Sequence, residues 1–366
     1  MNMTHTLTSI TPAFSDGAIP VFFSTDSNFA PYLGVAIQSL ISQSNPSRNY
    51  DIIIGSDHLS ELYMSKIQQM VHQYPNISIR FYDLADAASL ANLKAWDRFS
   101  LATFFRFFIP EMFNQYSKVI YLDVDICILR DIADLYDTDI HDAWLGACHD
   151  YGVMPQFDTN WHNIYSHSKE ILGLEDPHRE YFNSGVLLMN ITQCRQNNII
   201  EKLLESEAAH KHIFNDQDDF NKVCRGHVHY LDAAWNYSHP IPEESIPEEL
   251  REAHTKAAEN PYIAHYTAGR KPWLNPGVLE TSHHWWYYAR MTRFYEEILY
   301  RHIEKKRKQT VNALREIINL PRNRRKYWQY KIQMIFSCGK RKRRYKELVR
   351  QYRSKIKAAK RLRKAL

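Results

Sequence analysis

The sequence predicts an α/β protein with a mostly parallel sheet and helices on both faces. Three observations carry this. Apolar runs of strand length alternate with segments of helical spacing through the first third of the chain. Ile52-Ile53-Ile54 and residues 119–122 are continuously apolar, the pattern of strands buried on both sides. The resulting β-α-β-α-β order is that of parallel strands joined by crossover helices.

The elements follow in order. Residues 19–23 are an apolar run ending at Ser24-Thr25-Asp26, a first strand. Residues 32–42 carry Leu33, Ala36, Ile37, Leu40 and Ile41 at helical spacing. Residues 50–55 are the second strand. Residues 59–74 put Leu59, Leu62, Tyr63, Ile67, Met70 and Val71 on one stripe broken only by Lys66, with Ser56 or Asp57 as its cap. Ile77, Ile79 and Phe81 alternate as a strand. Residues 101–108 read as a helix stopped by Pro110, and residues 119–122 as the next strand. Asp26 and Asp123 each fall just past a strand, the end of a parallel sheet where ligands bind. Further on, residues 182–189 read as a strand and 191–212 as a helix. Residues 239–261, with Pro240, Pro242 and Pro247, read as a surface loop or short helix. From residue 283 the pattern is helical and increasingly basic.

Composition narrows the class. Of 366 residues, 44% are hydrophobic and 24% charged, which excludes global disorder, collagen and disulfide-rich miniproteins. The five cysteines are odd in number and form no C-x-x-C pair, as expected of a reducing compartment. No run of about 18 apolar residues predicts a transmembrane helix, and residues 1–20 have no Lys or Arg ahead of their apolar residues, so no secretory signal is expected. Charge is distributed unevenly. Residues 301–366 hold 25 Lys and Arg against three Asp and Glu, while the rest holds 21 against 38. An acidic body carries a basic tail.

Four motifs can carry chemistry. In Tyr121-Leu122-Asp123-Val124-Asp125, strand alternation lets both carboxylates face one side, where they repel unless a hard cation such as Mg²⁺ or Mn²⁺ lies between them; the competing reading is two solvated acids. His265-Tyr266-Thr267-Ala268-Gly269-Arg270-Lys271-Pro272-Trp273 offers a metal ligand, a turn in which Gly269 lets backbone approach a phosphate, and Lys271 as a point charge; its plain reading is a polar surface turn. Asn215-Asp216-Gln217-Asp218-Asp219 suits hydroxyl-rich ligands, and equally an N-cap at Asn215 or Asp216. Tyr181-Phe182-Asn183-Ser184-Gly185-Val186 is a polar pair, or a turn, leading into a strand.

In this order the motifs resemble glycosyltransferase family 8, retaining enzymes with a GT-A-type nucleotide-sugar domain. The likeness runs from about residue 19 to 273 and is nearest the bacterial branch through Asp-Thr-Asp-Ile-His-Asp-Ala-Trp-Leu-Gly-Ala at 137–147 and Phe-Asn-Ser-Gly-Val-Leu-Leu-Met-Asn at 182–190. The resemblance implies a UDP-hexose donor, glucose or galactose, and Mn²⁺ or Mg²⁺. It assigns Asp26 and Asn28 to the nucleoside, with Phe29 stacking on uracil and Thr25 beside it. Arg106 reaches the donor sugar or the acidic pair. Asp123, Asp125 and His265 hold the metal, and Lys271, with Gly269 beside it, holds the diphosphate. Asn183, Asp216 and Gln217 surround the donor sugar, with Gln217 nearest the anomeric carbon, and Asp150 faces sugar or acceptor. Ala268 departs from the family by standing where a glycine is usual. Because Gln217 is a poor nucleophile, the reading favours front-side attack over a covalent glycosyl-enzyme.

The implied division is an extension at 1–18, a transferase domain at 19–282 and a basic amphipathic tail at 283–366. Trp328, Ile332, Ile335 and Phe336 fall opposite Arg325, Lys326, Gln329 and Gln333, a face suited to an anionic membrane. That implies a peripheral enzyme on the cytoplasmic face of a bacterial inner membrane, acting on a lipopolysaccharide-type glycan or lipid-linked saccharide. No nucleic-acid-binding motif supports the tail's other anionic partner. The alternatives are a glycogenin-like self-glucosylating transferase, which needs one exposed acceptor among 23 Tyr, and a non-enzymatic basic-tail binding protein.

Overall fold

The computed structural model describes residues 7–93, 100–209, 212–335, 337 and 339–365. A seven-stranded mixed sheet runs in the order β3-β2-β1-β4-β7-β6-β8. Its strands are β1 (Ala18–Asp26), β2 (Asn49–Asp57), β3 (Ile77–Asp83), β4 (Lys118–Leu122), β6 (Leu145–His149), β7 (Phe182–Asn190) and β8 (Val228–Tyr230). A second sheet pairs β5 (Ile126–Ile128) with β9 (Ile263–His265).

Strand direction decides where the site lies. β1, β2, β3 and β4 are mutually parallel, so their carboxyl ends share one edge, with Phe23 opposite Leu122. β7 runs antiparallel to β4, with Val186 opposite Leu122, and brings its amino-terminal residues to that same edge. β6 is antiparallel to β7 and so directs its carboxyl end there too, with His149 opposite Phe182. Asp26, Asp123, Asp150 and Asn183 therefore converge although up to 157 positions separate them.

Apolar burial drives this arrangement. β1 and β2 are buried over seven consecutive residues each. Phe22, Ile53, Tyr121 and Leu187 meet Phe104, Phe105, Phe107 and Phe108 in one core. Phe22 packs edge-on against Phe113 with centroids 5.8 Å apart. The four described cysteines, Cys127, Cys148, Cys194 and Cys224, are buried and free.

Several elements differ from their sequence reading. Residues 101–108 are a 3-10 helix, Leu101–Phe108, and Pro110 opens the next short helix, Ile109–Met112, rather than ending the first. Ser60, not Ser56 or Asp57, caps the helix Glu61–Gln68, because those two residues belong to β2; Leu62 of the expected stripe is exposed. The helix expected over 191–212 is two, Ile191–Gln196 and Ile199–Ala209, broken where Asn198 takes a positive φ of 52°. The proline-rich segment contains a 12-residue helix, Glu248–Glu259, which starts where Pro247 can no longer obstruct it.

The chain divides into two compact units, residues 1–296 and 297–366, where the sequence reading set divisions after residues 18 and 282. Residue 10 of the expected extension is fully buried in the core, and its N–H bonds the Met112 carbonyl at 2.7 Å. Trp285, assigned by sequence to the tail, is fully buried in the body beside Trp273, centroids 5.2 Å apart. The tail unit holds most of the helix Tyr295–Ile318 together with Leu320–Ile335 and Gly339–Ala365. The last two pack through Tyr330 on Tyr345 and Tyr352. Trp328, Ile332 and Ile335 are 57%, 53% and 65% exposed; Phe336 lies outside the described residues. Among those residues no helix is long and apolar enough to cross a membrane.

Candidate active site

A cleft of about 500 Å³ opens at the shared strand edge. It is lined by thirteen of the fourteen sequence-predicted residues: Thr25, Asp26, Phe29, Arg106, Asp123, Asp125, Asp150, Asn183, Asp216, Gln217, His265, Gly269 and Lys271. Asn28 is exposed and outside the lining.

The acidic centre is built by backbone pairing. Asp123 and Asp125 occupy a bend between β4 and β5 rather than a continuing strand, so their convergence does not come from strand alternation. The Asp123 N–H bonds the Gly185 carbonyl at 2.8 Å, fixing Asp123 beside β7. The β5–β9 pairing sets His265 opposite Ile126. His265 Nε2 then lies 3.3 Å from Asp125 Oδ1 and 3.7 Å from Asp123 Oδ2. One ligand atom from each of the three residues lies within 4.8 Å of the others.

The orientation of His265 follows from a chain of amides. The Gly185 N–H donates to Asn183 Oδ1 at 2.9 Å, so the Asn183 amide nitrogen faces and donates to Asp150 Oδ2 at 3.0 Å. The Asn236 nitrogen must then donate to Asn183 Oδ1, at 2.9 Å, which turns Asn236 Oδ1 toward His265 Nδ1 at 2.8 Å. Nδ1 carries the hydrogen and the Nε2 lone pair faces the two acids. Burial holds the His265 pKa below its ordinary value, which favours the neutral ring that a metal requires. Two carboxylates and an imidazole nitrogen fit Mn²⁺ or Mg²⁺, and Asn236 fixes the ligand from behind.

Arg106 binds the acids from beneath. In a 3-10 helix residues three apart lie on one side, which puts Thr103 and Arg106 on the cleft while the intervening Phe side chains fill the core. Arg106 Nε is 2.8 Å from Asp216 Oδ2, one terminal nitrogen is 3.5 Å from Asp123 Oδ1, and the guanidinium lies 4.4 Å from the centre of the Tyr121 ring. The Tyr121 hydroxyl donates to Asp123 Oδ1 at 2.6 Å. Burial raises the pKa of the Asp123 carboxyl, but Arg106, His265, the Tyr121 hydroxyl and Lys271 together outweigh it and hold the pKa below the ordinary value. Asp216 is pushed up to about 7 by burial, with Arg106 opposing.

The cleft wall formed by Asp150, Asn183 and Gln217 is equally pinned. Gln217 Oε1 accepts the Ser184 N–H at 3.1 Å, while its nitrogen donates to Asp150 Oδ2 at 3.0 Å and to the Tyr181 hydroxyl at 3.2 Å. Asp216 opens the helix Asp216–Val223. Asn215 occupies the cap position, with φ at 49°, but no side chain caps the helix. Asp26 Oδ1 accepts the Asn28 and Phe29 N–H groups at 2.8 and 3.0 Å, shaping the turn that presents Phe29. Lys271 contacts Asp125, and burial lowers its pKa to about 8.

The left-handed residue of the 265–273 turn is Ala268, φ 51°, whereas Gly269 has no positive φ and open space where a Cβ would stand. The strain therefore falls one residue before the glycine. Ala268→Gly is expected to stabilise the fold by about 1 kcal/mol, since a left-handed alanine costs roughly that much. A denaturation midpoint unchanged or lower than wild type would show that the turn carries no such strain.

Sequence reasoning missed the supports. Tyr121 and Gly185 were inside quoted motifs but had no role. A Cβ on Gly185 would come within 2.3 Å of His265 Cε1 and 2.7 Å of Asp123 Oδ2. Asn236 lies in the 3-10 helix Ala233–Asn236, where no local pattern marks it.

Residues 20–277 match the family described as Glycosyl transferase family 8. The chain is 27% identical over 270 residues to a lipopolysaccharide 1,3-galactosyltransferase of Salmonella typhimurium, covering 72% of this chain and 75% of that protein. It is 27% identical over 261 residues to the lipopolysaccharide glucosyltransferase WaaO of Escherichia coli, covering 70% and 72%. Among solved structures, the bifunctional glycosyltransferase WbbM superposes with a TM-score of 0.72 at 26% identity, over 80% of this chain and 53% of that longer one.

Proposed function

Because this chain belongs to glycosyl transferase family 8, and is therefore a glycosyltransferase, we propose that it moves glucose or galactose from a UDP-sugar to a lipopolysaccharide-type or other cell-surface glycan, with retention and with a divalent metal. The observation that carries the reading is the convergence of Asp123, Asp125 and His265 within 4.8 Å in a cleft that also holds Lys271. Kinship to lipopolysaccharide galactosyl- and glucosyltransferases supports the acceptor class.

Those three residues would hold Mn²⁺ or Mg²⁺, which would supply positive charge against the diphosphate. Lys271 adds its ammonium at the same place; with its pKa at about 8 it is charged at neutral pH. Asp26 and the Phe29 ring bound the end of the cleft suited to the nucleoside. Asp150, Asn183 and Gln217 form one hydrogen-bonded wall suited to sugar hydroxyls. Front-side attack fits this wall. Gln217 is an amide, Asp216 is paired with Arg106, and Asp218 accepts from the Tyr181 hydroxyl, His167 and two backbone N–H groups. Of Asp216, Gln217 and Asp218, none offers a free carboxylate nucleophile, which favours front-side attack with the leaving phosphate taking the acceptor's proton.

A screen of UDP-sugars with Mn²⁺, following UDP release and UDP binding, tests the reading. Metal-dependent release from one UDP-hexose supports it and names the donor. Absence of both UDP and Mn²⁺ binding would remove it.

The basic tail places the enzyme at its acceptor in this reading. Exposed Trp328, Ile332 and Ile335 beside clustered Lys and Arg are suited to the cytoplasmic face of a bacterial inner membrane. Full-length protein should bind anionic liposomes and release with salt, each basic residue near the surface contributing about 1 kcal/mol. Removal of residues 301–366 should abolish that binding. Equal binding to neutral liposomes would contradict an electrostatic tail.

A further inference from the structure

A second constellation of metal-ligating side chains lies behind the sugar-facing wall. Glu207 lies in the last turn of the helix Ile199–Ala209, His212 comes after that helix in the chain, and Asp219 lies in the first turn of the helix Asp216–Val223. One ligand atom from each lies within 4.8 Å of the others. Asp219 is 0% exposed; its carboxylate meets only the His212 ring, whose Nε2 is 2.7 Å from Oδ1, and the Glu207 carboxyl, and no backbone N–H among the described residues donates to it. A fully buried carboxylate is costly unless its oxygens are engaged.

A neighbouring set, His167, His212 and Asp218, also meets the distance condition but is already satisfied. Asp218 Oδ2 accepts from Ile213 and Phe214 at 2.8 and 3.0 Å and lies 3.2 Å from His167, while Oδ1 accepts the Tyr181 hydroxyl at 2.6 Å. Asp219 has no such set of donors. Nearby Glu207 adds a second carboxylate, and burial together with the Asp219 charge raises its pKa to about 7. Glu207 is only partly buried, which leaves a route from solvent.

We propose that Glu207, His212 and Asp219 form a structural site for a divalent transition metal of the zinc class, separate from the Asp123–Asp125–His265 centre. One imidazole nitrogen and two carboxylate oxygens are a zinc-type donor set, with water completing the coordination. The cation neutralises two crowded acids and ties the end of one helix to the first turn of the next. That second helix carries Asp216 and Gln217 into the cleft, so the metal fixes the wall from behind. The site does not depend on which sugar, or whether any sugar, is transferred.

The test uses Zn²⁺ as probe and counts metal, not activity. Full-length Asp125→Ala protein, in which the cleft centre is disabled, is dialysed against a mild chelator with Zn²⁺ restored, and bound metal is measured by mass spectrometry. About one equivalent per chain should remain and raise the melting temperature. Adding Asp219→Asn, or separately His212→Gln, should remove that equivalent while circular dichroism shows the chain still folded. An Asp125→Ala protein that is folded and holds no zinc overturns the proposal, and so does zinc retained in both double variants.

Discussion

Asp125→Ala is expected to abolish metal-dependent release of UDP, lowering turnover by at least about 10³-fold, or roughly 4 kcal/mol of transition-state stabilisation. Asp125 is the acid nearest His265, at 3.3 Å, and the carboxylate that Lys271 contacts. In the proposed function its removal would take one of three protein ligands from the metal, and it leaves Lys271 without the anion it contacts. Asp123 cannot substitute, because its carboxylate is also engaged by Tyr121 and Arg106. Turnover and a Mn²⁺ titration in the same preparation separate lost metal from lost chemistry. Metal-dependent turnover within tenfold of wild type would eliminate Asp125 as a ligand.

Gly185→Ala should be nearly as damaging, although it removes no functional group. The new methyl would stand 2.3 Å from His265 Cε1, 2.7 Å from Asp123 Oδ2 and 3.0 Å from Asn183 Oδ1. None of these yields easily. His265 is held by Asn236, Asp123 by Tyr121 and its own N–H, and Asn183 by Gly185 itself. Overpacking of this kind costs about 1–3 kcal/mol, and displacing metal ligands by an ångström costs about 100-fold in rate. Denaturation and UDP-release assays should show both losses together. Near-normal turnover with an unchanged Mn²⁺ requirement would show that the ring swings aside without consequence.

Both predictions turn on residues whose importance is read differently from sequence and structure. Asp125 was legible, because an acid pair after an apolar strand is a local pattern. Gly185 lay inside a quoted motif, yet its purpose depends on two side chains supplied by β9 and by the bend after β4. The strands β1 to β4 were legible because continuous apolar runs are long enough to show. β5, β8 and β9 have three residues each, too few for any periodicity to register. Over 239–261 the sequence left loop and short helix open, and the structure forms the helix Glu248–Glu259 directly after Pro247.

The sequence alone determined the α/β class, the charge division between body and tail, and the identity of the acids, histidine and lysine that line the cleft. The class, the charge division and the Asp123, Asp125, His265 and Lys271 motifs rest on local regularities of apolar period, side-chain type and spacing, while Asp150 came from the family resemblance. The tertiary structure decided what those residues do together. The antiparallel entry of β7 and β6 brings Asn183 and Asp150 to the carboxyl edge of the parallel strands. The β5–β9 ladder sets His265 against Asp125, 140 positions away. The amide chain from Gly185 through Asn183 and Asn236 fixes which nitrogen of His265 faces the acids. Such pairings follow from the burial of whole faces and from satisfying every buried donor. Those conditions apply to the assembled fold and leave no mark on any short stretch of chain.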